Sequence, residues 1–134
     1  MTWLQRKGNK FGAKSTTYDG MTYASKREAA RAQELDLLVR GKAIKGWERQ
    51  RKISIDICPA KKCLRLCSQK CAAHPKEKPE HVFNYYMDFV IHENDGTETW
   101  EEVKGFETDV WKMKWRFTEI LFGADETIKL VVTK

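Results

Sequence analysis

Two carboxylates and an amine in the second half of the chain, Asp88, Glu102 and Lys104, could perform metal-assisted chemistry on a phosphate. Two adjacent carboxylates repel each other unless a cation lies between them, and Mg²⁺ prefers hard oxygen ligands of this kind. A nearby lysine can orient a water molecule or neutralise charge that develops on a phosphate. The alternative is a surface hairpin with a cross-strand ion pair, because so short a motif also occurs by chance.

These three residues lie on a predicted hairpin. Residues 84–92 and 98–104 have the pattern of strands, and Asn94-Asp95-Gly96 suits a three-residue turn with its glycine in the left-handed region. If Glu93 pairs with Thr97, the two carboxylates lie opposite each other, and the lysine shares their face because side chains alternate along a strand. A two-residue turn would place the carboxylates on opposite faces, so loop length decides whether they meet.

Composition limits the class of protein. The chain has 134 residues and a net charge of +6, with 41% hydrophobic and 33% charged residues. We expect one domain with a core and a polyanionic partner such as DNA. Neither a membrane-spanning run nor a secretory signal is visible, so we expect a cytoplasmic protein, in the host cell if a phage encodes it. Four cysteines in such a chain favour thiols or metal ligands over disulfides.

A first helix is predicted from Ser25 to about Arg40. Ser25 is a good N-cap, the four residues from Ser25 to Glu28 form a capping box, and Gly41 is placed to end the helix. On a helical wheel Glu28 begins the apolar stripe that continues through Ala32. Glu28 could therefore belong to a site on the inward face, or it could only reach back to cap the helix.

The other elements complete an αβββαβ order. Residues 44–57 form a strand before the hairpin. After the hairpin comes a mostly buried helix over 108–122, whose apolar side is widened by Met113, Phe117 and Ile120. An apolar strand at 127–133 follows it. A strand, a helix and a strand with short links predict a right-handed crossover, so the last strand should lie parallel to its neighbour. The fold class is α/β (α+β): a mixed sheet flanked by helices.

Two segments lie outside this core. Residues 1–17 form a basic N-terminal arm, for which a mobile terminus without function is the alternative. Residues 58–81 form an insertion that holds all four cysteines, two histidines and all three prolines. Contacts with the DNA backbone are predicted for basic residues of the arm, of the first long strand and of the last helix: Lys10, Lys14, Arg49, Arg51, Lys52, Lys112 and Arg116.

Five motifs occur in order on these elements: Tyr18-Asp19-Gly20, Ser25-Lys26-Arg27-Glu28-Ala29, Gln50, Tyr86-Met87-Asp88-Phe89 and Glu102-Val103-Lys104-Gly105-Phe106. Their order resembles the PD-(D/E)XK nuclease superfamily. Within this superfamily, the chain resembles a phage and prophage family of small endonucleases that are similar to junction resolvases. The resemblance covers about residues 18–57 and 83–133. Gln50 stands where that family also has a glutamine, near the site. Met87 replaces the proline of the motif, and the cysteine-rich insertion lies outside the pattern.

The resemblance implies divalent-metal cleavage of a phosphodiester. By motif, Asp88 and Glu102 would bind Mg²⁺ or Mn²⁺, helped by the carbonyl of Val103. Lys104 would position the attacking water or stabilise charge on the phosphate, and Glu28 would complete the carboxylate cluster. A small basic nuclease of this kind often acts on branched DNA, and two symmetric cuts in a four-way (Holliday) junction would require a homodimer, since one chain carries one site.

The insertion is interpreted from its own residues. Its cysteines follow one another at intervals of five, four and four residues: Cys58, Cys63, Cys67 and Cys71. Four thiolates suffice for a structural Zn²⁺, and His74 or His81 could replace one of them. If residues 62–71 are helical, three of the cysteines instead line one face as small core residues.

Two classes of function follow from these patterns. The favoured one is a metal-dependent DNA endonuclease that acts in phage recombination or DNA processing. The other is a non-catalytic nucleic-acid-binding protein, a zinc-bearing basic module on a nuclease-like scaffold. The acidic residues Glu28, Asp88 and Glu102 argue against the second, because a binder does not need clustered carboxylates beside DNA phosphates.

Overall fold

The computed structural model describes residues 14–60 and 74–134, and the structural statements below concern those residues. The fold is mixed α+β, as predicted, and it has the αβββαβ order from the first helix onward. The chain divides into two compact units, one ending at Ala43 and the other beginning at Ile44, where the sequence suggests one domain. The elements are β1 Thr16–Tyr18, β2 Met21–Tyr23, α1 Lys26–Arg40, β3 Gly46–Ile57, β4 Glu80–His92, β5 Glu98–Val103, α2 Asp109–Phe122 and β6 Ile128–Thr133.

The first unit contains a short hairpin and α1. Strands β1 and β2 pair antiparallel around Asp19 and Gly20, which both have positive φ, 47° and 74°, as a tight two-residue turn requires. The hydroxyl of Tyr18 donates to Oδ2 of Asp36 on α1 at 2.6 Å, and its ring lies 6.5 Å from that of Tyr23. Strand β1 begins at Thr16, within the last residues of the segment predicted as the basic arm, and residues 1–13 of that arm lie outside the described residues.

Helix α1 has the predicted ends. The N-cap Ser25 accepts a hydrogen bond from the backbone N–H of Glu28 at 3.2 Å, and Gly41 caps the last turn. This hydroxyl satisfies one of the N–H groups that the first turn leaves without an intrahelical partner. The buried residues of α1 form one stripe, Ala29, Ala32 and Leu35.

The second unit is a four-stranded sheet in the order β3-β4-β5-β6. The first two pairs are antiparallel, and β6 lies parallel to β5, as predicted. Strand β4 begins at Glu80 and not at residue 84, because pairing with β3 continues through Ile57 and Glu80. The last two residues of the predicted insertion, Glu80 and His81, therefore belong to the sheet.

Helix α2 adds two tryptophans to the core of this sheet. It has the predicted N-cap, Thr108, and the predicted C-cap, Gly123. Of the three residues predicted to widen its buried surface, Phe117 packs against the core, whereas Met113 and Ile120 are each 53% exposed, so the prediction was wrong for these two. In the described part of the chain, neither helix has the length and apolar character needed to cross a membrane. The core cluster comprises Ile53, Ile55, Tyr85, Met87, Val90, Trp100, Trp111 and Trp115.

Candidate active site

The turn between β4 and β5 has the length on which the site depends. The backbone N–H of Glu93 donates to the carbonyl of Thr97 at 2.9 Å, which closes a three-residue loop. Gly96, the last residue of that loop, has a φ of 91°. A side chain at this φ would be strained, so the turn favours glycine at this position. The predicted loop length is confirmed.

The register that follows places Asp88 opposite Glu102. The last pair of the β4–β5 ladder joins Phe89 to Glu101. Just beyond this pair, a side chain joins the two strands: the backbone N–H of Val103 donates to Oδ2 of Asp88 at 2.9 Å. This contact agrees with the predicted register, and the meeting of the two carboxylates at one metal stays a prediction.

Gln50 on β3 holds the other oxygen of Asp88. Its Nε2 donates to Oδ1 of Asp88 at 3.3 Å. The β3–β4 ladder is regular on both sides of this position but omits the pair Gln50–Asp88, and Gln50 has a φ of 52°. A left-handed conformation is uncommon for a residue other than glycine, and such irregularities in a sheet often re-aim a side chain beside a site. The resemblance predicted Gln50 near the site but did not predict its hydrogen bond to Asp88.

Burial along β4 changes at the same point. Tyr85 and Met87, two residues apart as strand alternation requires, belong to the core cluster that contains the α2 tryptophans. The next β4 residue in that cluster is Val90, which is three residues after Met87 and so breaks the alternation. The side of β4 that faces α2 therefore changes between Met87 and Val90. Asp88 lies in that interval, half-buried, where the strand departs from strict alternation.

Glu102 is 5% exposed, and its two carboxylate oxygens have different surroundings. Oε1 accepts a hydrogen bond from Nε1 of Trp111 at 3.0 Å and lies 3.6 Å from Nζ of Lys104. Oε2 is buried and has no hydrogen-bond partner among the described residues. A buried carboxylate oxygen without a partner is costly, so this atom is suited to a cation or a water molecule.

Trp111 supports both of its charged neighbours. Its Nε1 lies within hydrogen-bonding distance of the Tyr85 hydroxyl, 2.9 Å, as well as of Glu102, and Nζ of Lys104 lies 5.4 Å from its ring centroid. The sequence predicted Trp111 only as an apolar residue of the last helix. The available signal was the indole N–H, because a tryptophan buried near a helix start needs an acceptor.

The electrostatics of the site follow from burial. Burial raises the pKa of Glu102, and the positive charge of Lys104 opposes that shift. Burial also raises the pKa of Tyr85, and the nearby charge of Glu102 adds to the effect. Tyr85 is therefore a neutral phenol at physiological pH, and positive charge close to Glu102 favours its ionised form.

Comparison with known proteins places the chain in a family. Residues 8–129 match the family described as "Protein of unknown function (DUF1064)". The chain belongs to this family. No curated protein and no solved structure matches it. The function of this DUF1064 chain must therefore be argued from the site.

Glu28 lies in the first unit. Its Oε1 accepts a hydrogen bond from Oγ of Ser25 at 3.2 Å, so the capping interaction, one of its two interpretations, is present. Its part in a carboxylate cluster stays a prediction.

The residues that could hold a divalent cation are few. The described part of this DUF1064 chain contains no group of three or more His, Cys, Asp or Glu side chains that could hold a metal. A cation at Asp88 and Glu102 would therefore draw its remaining ligands from the backbone, such as the carbonyl of the buried Val103, and from water. The unpartnered Oε2 of Glu102 fits such a ligand set.

The predicted zinc ligands are described only in part. Cys58 is buried at the end of β3, whereas Cys63, Cys67 and Cys71 lie outside the described residues. Nδ1 of His81 lies 2.9 Å from both Oγ of Ser54 and Oδ1 of Asp56. These contacts hold His81 in the sheet, and the zinc site stays a prediction.

The predicted DNA-contacting residues differ in their surroundings. Arg51 makes a bidentate ion pair with Glu98, at 2.6 and 3.1 Å, and a further ion pair with Glu48. Its positive charge is therefore paired with carboxylates of the protein itself. Arg116 pairs with Glu119 at 3.1 Å but its side chain is 70% exposed. Among the others, Lys14, Lys52 and Lys112 are exposed, Arg49 is half-buried, and Lys10 lies outside the described residues.

Proposed function

We propose that the protein is a Mg²⁺-dependent DNA endonuclease of the PD-(D/E)XK type. One observation carries the proposal: the Val103 N–H bonds to Asp88 where the hairpin ladder ends, Nζ of Lys104 lies 3.6 Å from Glu102, and Oε2 of Glu102 is buried without a hydrogen-bond partner among the described residues. Asp88, Glu102 and the Val103 carbonyl would hold the ion.

Each residue of the site has a role in phosphodiester cleavage. Mg²⁺, when bound, supplies a Lewis acid for the phosphate and lowers the pKa of a bound water. Gln50 and the Val103 N–H fix the two oxygens of Asp88, so its carboxylate is oriented before substrate arrives. Lys104 would hold the attacking water or offset negative charge on the phosphate as the P–O bond breaks.

The substrate we propose is branched DNA, with four-way junctions as the first candidate. The net charge of +6 favours the closely spaced phosphates of such DNA. Two symmetric cuts would need two copies of the chain, so we propose a homodimer on the junction. The reaction would take place in the cytoplasm.

A panel of DNA substrates tests the proposal. Purified protein is incubated with supercoiled plasmid, a four-way junction, a flap, single strands and linear duplex, in Mg²⁺, in Mn²⁺ and in EDTA. We expect nicking of plasmid with either metal, none in EDTA, and the fastest cleavage on the branched substrates. Binding to every substrate without cleavage of any would overturn the nuclease and would support the non-catalytic nucleic-acid-binding protein.

A further inference from the structure

Two apolar side chains on α2 point away from the sheet. Met113 and Ile120 are each 53% exposed, although α2 is otherwise the helix that supplies Trp111 and Trp115 to the core. At about 3.6 residues per turn, both lie roughly 180° around the helix from those tryptophans. Exposed apolar residues that share one face of a helix indicate a surface that meets a partner.

Met113 and Ile120 belong to a regular line on this outer face. Residues of the line follow one another at intervals of four, three and four positions: Asp109, Met113, Arg116 and Ile120. This spacing keeps side chains on one side of a helix and is that of the seam between two paired helices. Charged residues within such a seam fix the register of the pair at some cost in stability.

A second copy of α2, laid antiparallel on this face, meets complementary side chains. A two-fold axis exchanges residues that are equally far from it. If the axis crosses α2 between residues 114 and 115, Lys112 of each copy faces Glu119 of the other on one side of the seam. On the other side Val110, which is 59% exposed, faces the half-buried Phe117 of the second copy. Symmetry repeats the charged contact and the apolar contact once each.

The charge of Arg116 is balanced in this arrangement. The axis brings the arginines of the two copies near each other in the seam. Each arginine, however, has a carboxylate in its own chain, because Nη1 of Arg116 lies 3.1 Å from Oε2 of Glu119. The exposed Asp109 of the second copy lies in the neighbouring layer of the seam and adds a further negative charge.

We propose that this outer face of α2 is the interface of a homodimer in which the two helices pack antiparallel. In supplying the second copy that the proposed function calls for, the inference rests on that function, but the contact itself needs neither DNA nor metal. A helix of 14 residues is about 20 Å long, so the contact is smaller than a standard protein interface. We therefore expect a weak dimer, with a dissociation constant in the micromolar range.

Sedimentation equilibrium of the full chain, without DNA and in EDTA, tests the apolar part of the interface. The wild type should dimerise with rising concentration, and Met113→Glu should weaken the dimer about hundredfold because a charge is buried in the seam. Leu37→Glu is the matched control, since Leu37 is a 64% exposed apolar residue on α1, and it should dimerise as the wild type does. Circular dichroism checks that each variant is folded. A wild type that stays monomeric, or a Met113→Glu variant that dimerises normally, would overturn the interface.

A charge exchange tests the register. Lys112 and Glu119 lie two turns apart, about 10 Å along the helix, so they cannot pair within one chain. Lys112→Glu and Glu119→Lys should each weaken the dimer about tenfold, because both symmetric attractions become repulsions. In a mixture of the two variants, the new glutamate at position 112 would face the new lysine at position 119, and the unchanged Lys112 would face the unchanged Glu119.

The mixture should therefore regain most of the lost affinity. Fluorescence transfer between differently labelled variants measures it. A mixture that associates no more tightly than either variant alone would contradict the antiparallel register.

The interface competes with a DNA contact for the same side chains, since Lys112 and Arg116 are also predicted to contact phosphates. At the interface their charges face carboxylates, so Lys112→Gln should weaken the dimer severalfold. A reduced salt slope for DNA binding in Lys112→Gln, with an unchanged dimer constant, would assign Lys112 to DNA and overturn its place at the interface.

The two proposals fail in different ways. A dimer that depends on Met113 and cleaves no DNA supports the interface and overturns the endonuclease. Cleavage of DNA by a chain that is monomeric in solution, and whose rate Met113→Glu does not change, supports the endonuclease and overturns the interface.

Discussion

The backbone N–H of Val103 donates a hydrogen bond to Oδ2 of Asp88 at 2.9 Å, at the point where the β4–β5 ladder ends. Val103 directly follows Glu102, so this bond ties one candidate metal ligand to the residue next to the other. The distance between the two carboxylates is therefore set by the hairpin itself. An asparagine at position 88 can still accept this bond, because its amide retains one oxygen.

The first prediction is that both carboxylates are required for cleavage. Asp88→Asn and Glu102→Gln should each abolish cleavage in Mg²⁺ and leave DNA binding in Ca²⁺ unchanged, because they remove charge and keep shape. In Asp88→Asn, Gln50 can turn its amide to accept from the new side chain. Plasmid nicking and junction binding provide the two measurements. Glu126→Gln, at an exposed residue between α2 and β6, should behave as wild type. Full cleavage by both site variants would refute the assignment.

The second prediction concerns Lys104. Lys104→Ala should lower the single-turnover cleavage rate by about 10²–10³-fold, because a positioned charge stabilises the transition state by that order. Affinity for uncleaved DNA should change little. Lys129→Ala, an exposed lysine on β6, is the matched control and should keep the wild-type rate. A loss of affinity equal to the loss of rate would show that Lys104 only binds DNA.

The third prediction is that binding is mainly electrostatic. Affinity for DNA should fall log-linearly with salt, as phosphate contacts release counterions. Lys112→Gln and Arg116→Gln, on the exposed side of α2, should each reduce the slope by about 0.9 if the residue contacts a phosphate. Anisotropy titrations between low and moderate salt measure the slope. An affinity independent of salt would contradict the prediction.

The fourth prediction uses the ion pair of Arg51. Its hydrogen bonds lower the pKa of Glu98 and of Glu48, so both carboxylates stabilise the fold above the ordinary glutamate pKa. That contribution is lost as the pH falls through the lowered values. Arg51→Met should therefore cost about 1–3 kcal/mol near neutral pH, where a partly buried charged hydrogen bond is lost.

Urea unfolding at pH 7 and below about pH 4 measures this effect. The difference in unfolding free energy between wild type and Arg51→Met should shrink in acid, because the wild type loses the same interaction when Glu98 becomes protonated. A difference that is equal at both pH values would mean that the pair contributes packing and not charge.

The fifth prediction concerns the cysteines. We expect protein purified in reductant without added zinc to contain about one equivalent of Zn²⁺, held by the four thiolates. A Cys63→Ser, Cys67→Ser double variant should lose the metal, and its DNA binding should weaken more than its rate of cleavage. Elemental analysis measures the content. Fresh wild-type protein without zinc would instead favour the packed-cysteine alternative.

The hairpin could be predicted from sequence because its signals are local. Asn94-Asp95-Gly96 suits a three-residue turn, and the turn length fixes which residue lies opposite Asp88. The caps at Ser25 and Thr108 were predictable for the same reason, since each hydroxyl only has to accept from the backbone N–H three residues later. The register of the candidate site therefore followed from the turn between Glu93 and Thr97.

The supporting contacts could not be predicted in this way. Trp111 reaches Tyr85 from α2 across 26 residues of sequence, and no local pattern specifies which indole will meet which carboxylate. The exposure of Met113 and Ile120 depends on where α2 rests on the sheet, which helical periodicity alone does not give. The start of β4 at Glu80 likewise depends on β3, its pairing partner.

Gln50 combines a left-handed backbone conformation with a side-chain hydrogen bond to Asp88. Its φ of 52° within β3 is a conformation that glycine adopts freely and that costs other residues on the order of 1 kcal/mol. Only a side chain, however, can reach Asp88, as the amide of Gln50 does. Stability and activity therefore favour different residues here. A laboratory evolution experiment that selects for heat resistance alone should replace Gln50 with glycine, and one that selects for DNA cleavage should retain it.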